Sequence, residues 1–168
     1  MKTVDQLSEL KDRNVLLRVD FDVPLLRSWG ASEGQAVIAE PFRIKRQKEA
    51  IDMLAERGAK VVLVAHLSAR DSFAELIPQL HILLGREIGF IKKIEDIPEY
   101  LRRYPGVGLL ENVRSWPGEQ DNDAAFTRRL AEGFHYYINN AFAVCHRSHA
   151  SVSAITKFLP SYAGPLVL

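Results

Sequence analysis

The chain has 168 residues, of which 47% are hydrophobic, so it can build one ordinary core without disulfides or metals. Its 22 Lys and Arg residues nearly balance 21 Asp and Glu residues, which argues against nucleic acid or an acidic membrane as the partner. The single cysteine, Cys145, excludes a disulfide framework and fits a reducing compartment, and no apolar run approaches the length of a membrane span. We therefore expect one cytoplasmic domain over residues 1–168, with no membrane and no nucleic acid among its partners.

Short apolar runs recur along the chain and predict buried strands. There are five, at residues 14–19, 60–64, 87–91, 107–110 and 136–138. Helix signals lie between or after them, over residues 41–57, 72–85, 96–104, 122–132 and 148–158, and Pro78 predicts a kink or a late start in the second of these. Because parallel neighbours need a crossover connection, this alternation predicts an α/β fold, a doubly wound, Rossmann-like parallel sheet with helices on both faces.

Residues 25–40 fit this alternation less well. They contain Gly30 and Gly34 and predict a loop or a small hairpin at the rim of the sheet. The two tryptophans, Trp29 and Trp116, are expected to be packing residues.

Polar residues follow most of the predicted strands directly. Ligands of open parallel sheets bind outside the carboxyl ends of the strands, so these positions are the candidate site. The residues are Asp20 and Asp22 after the first strand, His66 and Arg70 after the second, Glu111, Asn112 and Arg114 after the fourth, Asn139, Asn140, His146, Arg147 and His149 after the fifth, and Arg43 at the start of the first helix.

The arginines in this group suggest an anion site. A guanidinium group binds carboxylate or phosphate in a bidentate manner and keeps its charge, so several of them at one edge predict a small polyanion as the ligand. Each arginine taken alone is better explained by a surface ion pair, and only the placement of several together favours an anion site.

Other kinds of site are less well supported. The motif CHRSH at residues 145–149 lacks the further ligands that a zinc site needs, so we expect no metal. Cys145 has no identified partner base and is expected to be a small buried residue rather than a nucleophile. Asp20 and Asp22 alternate on an extended segment, which disfavours an acid/base pair. The chain has neither of the two glycine-rich nucleotide motifs, Gly-X4-Gly-Lys-Ser/Thr and Gly-X-Gly-X-X-Gly.

Four motifs in the same order resemble those of the phosphoglycerate kinase family. They are VLLRVDFDVP at residues 15–24, VVLVAHL at 61–67, LLENVRSWPG at 109–118 and NNAFAVCHRSHAS at 139–151. Residues 158–164 (FLPSYAG) also resemble the run before the interdomain hinge of the family. By this resemblance the chain is identified as the N-terminal, 3-phosphoglycerate-binding domain, and the nucleotide-binding C-terminal domain is absent from it.

The resemblance implies a role for each candidate residue. Substrate-binding positions would be Asp20, Asp22, Arg43, His66, Arg70, Arg114 and Arg147, and Arg43 would also be catalytic by stabilising the transferring phosphoryl group. No cofactor is expected in this domain, because Mg-ATP or Mg-ADP belongs to the C-terminal domain. We therefore expect an enzyme by family, whose isolated 168-residue chain does not turn over.

The sequence departs from the family pattern at several positions. Asp22 stands where the family has Asn, Asn140 replaces Asp, and the loop AHLSAR at residues 65–70 displaces Arg70 by one position. These changes leave open an alternative, a degenerate, non-catalytic anion-binding or interaction domain that retains the fold.

Overall fold

A six-stranded parallel sheet forms the centre of the molecule in a computed structural model that describes residues 2–27 and 36–168. In chain order, the strands of the described residues are β1 (Asn14–Arg18), β2 (Leu25–Arg27), β3 (Ala36–Ile38), β4 (Lys60–Val64), β5 (Ile88–Ile91), β6 (Val107–Leu110), β7 (Tyr136–Asn139) and β8 (Ser161–Ala163). The order in the sheet is β5-β6-β4-β1-β7-β8, and every pairing in it is parallel.

This sheet confirms the predicted fold class and adds one strand. All five predicted strands are present, whereas β8 was not predicted because its three residues follow Pro160 and form no apolar run. β1 lies between β4 and β7, and the chain leaves β1 toward β4 but leaves β7 toward β8, so the connections after the neighbouring strands β1 and β7 run in opposite directions. The loops that follow β1, β4 and β7 therefore surround the crevice where such folds bind ligands.

Helices cover both faces of the sheet. They are α1 (Phe42–Glu56), α2 (Ile77–Leu84), α3 (Ile97–Arg103), α4 (Pro117–Gln120) and α5 (Ala124–Ala131). Successive strand residues point to opposite faces, and Leu17 packs in a core with α1 and α2 while its neighbour Leu16 packs in a second core with α3 and α5. Among the described residues, no helix is long and apolar enough to cross a membrane.

Most helix boundaries follow the sequence signals. α1 is followed by Gly58 in the left-handed conformation (φ 79°), and α2 begins late, with Pro78 in its first turn, and ends at Gly85 (φ 64°). The predicted helix over residues 148–158 is wrong, because only a 3₁₀ helix, Ala154–Lys157, forms there. The backbone N–H and the hydroxyl of Ser151 both donate to the Glu119 carboxylate, so the Ser151 N–H is not available for a helical hydrogen bond at the start of this segment.

The predicted rim hairpin is present where the structure describes it. β2 and β3 pair antiparallel, with Leu25 opposite Ile38, while residues 28–35, and with them Trp29, lie outside the described residues. Trp116 packs against Phe126 with ring centroids 6.2 Å apart, so the expectation of a packing role holds for this tryptophan.

Candidate anion-binding site

A buried arginine lies at the end of β1, beneath the strand-end loops. The Arg18 side chain is almost fully buried, and it donates from Nη1 to the carbonyl oxygens of Val19 (2.6 Å) and Val64 (3.2 Å) and from Nε to Ser151 Oγ (3.0 Å). Burial lowers the pKa of Arg18, and the nearby Glu119 carboxylate opposes this effect. Since an arginine stays protonated in proteins, the site is built on a fixed positive charge.

Glu119 supplies the compensating negative charge below this arginine. Its carboxylate is fully buried and accepts from the Ser151 N–H at 2.8 Å and from the Ser151 hydroxyl at 2.6 Å. Because the same hydroxyl accepts from Arg18, one serine connects the two buried charges. A buried charge is tolerated only with such partners.

The tautomer of His66 follows from its contact with Arg18. Arg18 Nη2 lies 3.0 Å from His66 Nδ1, and because a guanidinium only donates, Nδ1 accepts and the ring proton is on Nε2. Nε2 then donates to Asp22 Oδ2 at 3.1 Å. Burial, followed by the charge of Arg18, lowers the pKa of His66 to about 3, so the ring is neutral at pH 7.

Asp22 receives hydrogen bonds on both carboxylate oxygens. Oδ1 accepts from the Ser68 N–H at 2.7 Å, and Oδ2 accepts from the Ser68 hydroxyl at 3.1 Å as well as from His66. Burial alone would raise the pKa of Asp22, but the Ser68 donors and the nearby Arg114 charge outweigh it and lower the pKa. Asp22 is therefore ionised at neutral pH.

Arg114 and Arg147 form the more exposed cationic part of the edge. Arg114 donates from Nη1 to Ser68 Oγ at 3.0 Å, and its buried Nε has no partner among the described residues. Burial, and after it the positive charge of Arg147, lowers the pKa of Arg114, and the same Arg147 charge acts on His66. The two arginines and His66 therefore share one region of positive potential.

Two cavities open beside these residues. One, of about 460 Å³, is lined by Ser68, Arg70 and Arg114 among others, and Arg70 Nε lies 3.4 Å from Glu75 Oε1. The other, of about 440 Å³, is lined by Asp20 and Arg43 among others.

Arg43 lies in the first turn of α1. It donates from Nη1 to the Asp22 carbonyl oxygen at 3.2 Å, its Nη1 lies 3.7 Å from Asp20 Oδ2, and its side chain is 54% exposed. About half of the Arg43 side chain is thus open to solvent and accessible to a ligand.

All seven candidate residues lie at the carboxyl-end edge of the sheet, and two of the other polar residues after the strands, Asn112 and Asn140, bond only to the protein. Asn112 holds the loop after β4 by donating to the carbonyls of Leu67 and Arg70. Asn140 donates to Gln47 and accepts from the backbone N–H of Leu166.

The expectation that Cys145 is buried is wrong, because the residue is exposed. In residues 2–27 and 36–168, no group of three or more His, Cys, Asp or Glu side chains could hold a metal ion.

Four further residues organise this edge and are not among the predicted site residues: Arg18, Ser68, Glu119 and Ser151. Only Arg18 carries a signal that could have been used, because an arginine inside the apolar run NVLLRV must find buried partners. The other three are ordinary polar residues whose partners lie far away along the chain.

Comparison with known proteins assigns the chain to a family. A family model described as phosphoglycerate kinase matches residues 4–168. The phosphoglycerate kinase of Pelobacter propionicus is 38% identical over 175 residues, which cover 96% of this chain and 41% of that protein. The enzyme of Geotalea uraniireducens is 36% identical over 184 residues, covering 100% of this chain and 43% of its own length.

Solved structures agree with the sequence comparison. Phosphoglycerate kinase from Pyrococcus horikoshii OT3 superposes with a TM-score of 0.84 at 25% identity, covering 99% of this chain and 43% of that structure. The structure from Coxiella burnetii gives 0.78 at 25% identity, with 98% and 42% covered. The chain spans about two fifths of the length of these relatives. Since the family model matches almost every residue, the chain belongs to the phosphoglycerate kinase family.

Proposed function

We propose that this chain binds 3-phosphoglycerate in a phosphoglycerate kinase, which transfers a phosphoryl group reversibly from ATP to the carboxylate of that substrate. The observation that carries the proposal is the proximity of Arg114 and Arg147, which lie close enough for the charge of Arg147 to lower the pKa of Arg114 and for both charges to act on the neutral His66. Glu119 and Asp22 compensate part of the positive charge at this edge, and an anionic ligand would neutralise the charge that remains on the more exposed arginines.

The chemistry of each side chain fits a division of roles. Arg114 and Arg147 bind the phosphate of the substrate, and Arg70, which lines the same cavity as Arg114, extends this surface. Asp20, whose Oδ2 lies 3.7 Å from Arg43 Nη1, binds the region of the glycerate hydroxyl. Phosphoryl transfer depends mainly on positioning and on neutralising charge at the equatorial oxygens, which is the role of the half-exposed Arg43.

The nucleotide has no assigned site in this chain. We infer that Mg-ATP or Mg-ADP binds to a C-terminal domain outside these residues, because the relatives are more than twice as long. The 168-residue chain alone then binds 3-phosphoglycerate without turning over, and the whole enzyme works in the cytoplasm. Sustained ADP formation by this chain that depends on 3-phosphoglycerate would contradict the inference.

Calorimetric titration of 3-phosphoglycerate into the 168-residue chain tests the binding role. We expect saturable binding that is lost in Arg147→Ala and weakened in Arg43→Ala. Lys157→Ala is a matched control, because it removes a positive charge from the 3₁₀ helix after the site and should leave binding unchanged. No heat at millimolar 3-phosphoglycerate would count against the proposal.

A second candidate function is a non-catalytic anion-binding or interaction domain. The ionised Asp22 favours it, because this carboxylate occupies donors that a substrate anion would need. A full-length protein that folds but neither binds 3-phosphoglycerate nor turns over would support this candidate, and ordinary turnover would exclude it.

A further inference from the structure

The Asp22 carboxylate occupies the hydrogen-bond donors at the centre of the candidate site. Three donors converge on it, the backbone N–H of Ser68, the hydroxyl of Ser68 and Nε2–H of His66. The positively charged Arg114 donates from Nη1 to the same Ser68 hydroxyl and so lies beside these donors. Backbone and side-chain donors beside a cationic group are the arrangement by which proteins bind a phosphate or carboxylate oxygen.

These donors keep their direction whether or not the carboxylate is present. Nδ1 of His66 must accept from Arg18, whose guanidinium is held by three further acceptors, so the proton stays on Nε2. The backbone around Ser68 is fixed by Asn112, which accepts from the N–H of Leu67 and donates to the carbonyls of Leu67 and Arg70. The donor set is therefore a property of the scaffold and not of Asp22.

An external anion meets two obstacles at this position. It needs the donors that Asp22 already uses, and it is repelled at short range by an ionised carboxylate. Protonation does not relieve the repulsion at neutral pH, because the pKa of Asp22 is lowered.

We propose that the Asp22 carboxylate is a built-in occupant of the anion site, which competes with a ligand phosphate or carboxylate for His66 and Ser68 and so sets the affinity. The inference rests on the proposed function only in that the site binds anions. In Asp22→Asn, the amide oxygen can accept from only one side, so the N–H₂ group faces either His66 Nε2–H or the Ser68 N–H, and two donors point at one another in both orientations. A ligand oxygen between them then becomes favourable, because unsatisfied buried donors are costly.

The test uses two anions and three variants of the 168-residue chain. Inorganic phosphate and 3-phosphoglycerate are titrated by calorimetry at pH 7 and low ionic strength. Each anion is titrated into the unchanged chain, into Asp22→Asn and Asp22→Ser, and into a third variant that serves as the control. The matched control is Asp71→Asn, which removes a negative charge from the cavity that Ser68 and Arg114 also line, and has no bond to His66 or Ser68.

We expect both Asp22 variants to bind inorganic phosphate about tenfold more tightly, and Asp71→Asn to change the affinity by less than about twofold. The nuclear magnetic resonance signals of the Ser68 amide and His66 Nε2 should shift on phosphate binding in the Asp22 variants. Asp22→Ser keeps the test valid if Asp22→Asn folds poorly, because it removes the charge and leaves more space.

Several results would overturn the inference. The inference is wrong if the Asp22 variants bind phosphate no more tightly than the unchanged chain, or if no variant binds phosphate. It is also wrong if Asp71→Asn gains as much phosphate affinity as the Asp22 variants, or if the resonance signals of Ser68 and His66 do not shift on phosphate binding. Failure of the proposed function gives a different pattern, in which phosphate binding improves in the Asp22 variants but 3-phosphoglycerate binds no better than phosphate. Conversely, tight 3-phosphoglycerate binding that Asp22→Asn leaves unchanged would retain the function and remove the inference.

Discussion

The buried and exposed halves of the candidate site compensate their charges differently. In the buried half (Arg18, His66, Glu119 and Ser151), every charged group is bonded to another part of the protein. In the exposed half (Arg43, Arg70, Arg114 and Arg147), the guanidinium groups have few protein partners, and Arg114 Nε has none among the described residues. The buried half should therefore determine stability and the tautomer of His66, whereas the exposed half should determine ligand affinity.

The largest predicted effect concerns Glu119. In Glu119→Ala, Ser151 loses its acceptor and the charge of Arg18 is left without the nearby carboxylate. Removing one partner of a buried charge pair costs about 3–5 kcal/mol, and we expect a loss of this size in the free energy of unfolding, measured by urea denaturation. Glu119→Gln keeps one acceptor and should lose less. A cost for Glu119→Ala below about 1 kcal/mol would mean that the buried half does not act as a unit.

The next effect is a pH dependence of stability that comes from His66. The unfolded histidine binds a proton below about pH 6.5, whereas the folded one stays neutral down to about 3. Unfolding therefore takes up a proton between these values, so stability is lost as pH falls through this window, by at most about 1.4 kcal/mol per pH unit. The folded pKa of Asp22 is also lowered, which acts in the same direction but only below the ordinary pKa of a carboxyl.

His66→Gln isolates this contribution. Urea denaturation at pH 7, 6 and 5 should show a flatter dependence in the variant than in the unchanged chain. His149, whose pKa is also lowered, mainly by burial, remains in both proteins and cancels in the comparison. Identical slopes would show that His66 is not held neutral by Arg18 and burial.

Arg43→Ala should separate binding from stability. Its ion pair with Asp20 is long and its side chain is 54% exposed, so we expect the free energy of unfolding to change by less than about 0.5 kcal/mol. The affinity for 3-phosphoglycerate should fall, as measured by calorimetry. A large loss of stability would place Arg43 with the buried half instead.

The fold could be predicted from the sequence where the signals are local. The apolar runs of β1 and β4 and the glycines after α1 and α2 each act within a few residues, so strands, helix ends and the parallel sheet followed from them. β8 could not be predicted, because three residues hold too little pattern. The error over residues 148–158 has a long-range cause, the bonds of Ser151 to Glu119.

The candidate site divides in the same way. Asp20, His66 and Arg114 could be placed because strand ends meet at one edge of a parallel sheet. The partner of Arg18 could not, because Ser151 lies 133 positions further along the chain. The substitution at Asp22 is visible in the sequence, but its meaning depends on Ser68, whose contact with Asp22 spans 46 positions.

The smallest predicted effect concerns Arg70, the exposed arginine whose place in the site is least determined by its contacts. Its Nε lies 3.4 Å from Glu75 Oε1, and both side chains are more than a third exposed, so the pair is weak and competes only slightly with a ligand. Glu75→Gln frees Arg70 and should tighten 3-phosphoglycerate binding by about twofold, and Arg70→Ala should weaken it by no more than about fivefold, since Arg114 and Arg147 remain. Calorimetry on both variants and on the double variant shows whether Arg70 makes a minor or a main contribution to binding. If Arg70→Ala abolishes binding as Arg147→Ala should, Arg70 is a main ligand of the phosphate, and its ion pair with Glu75 breaks when substrate binds.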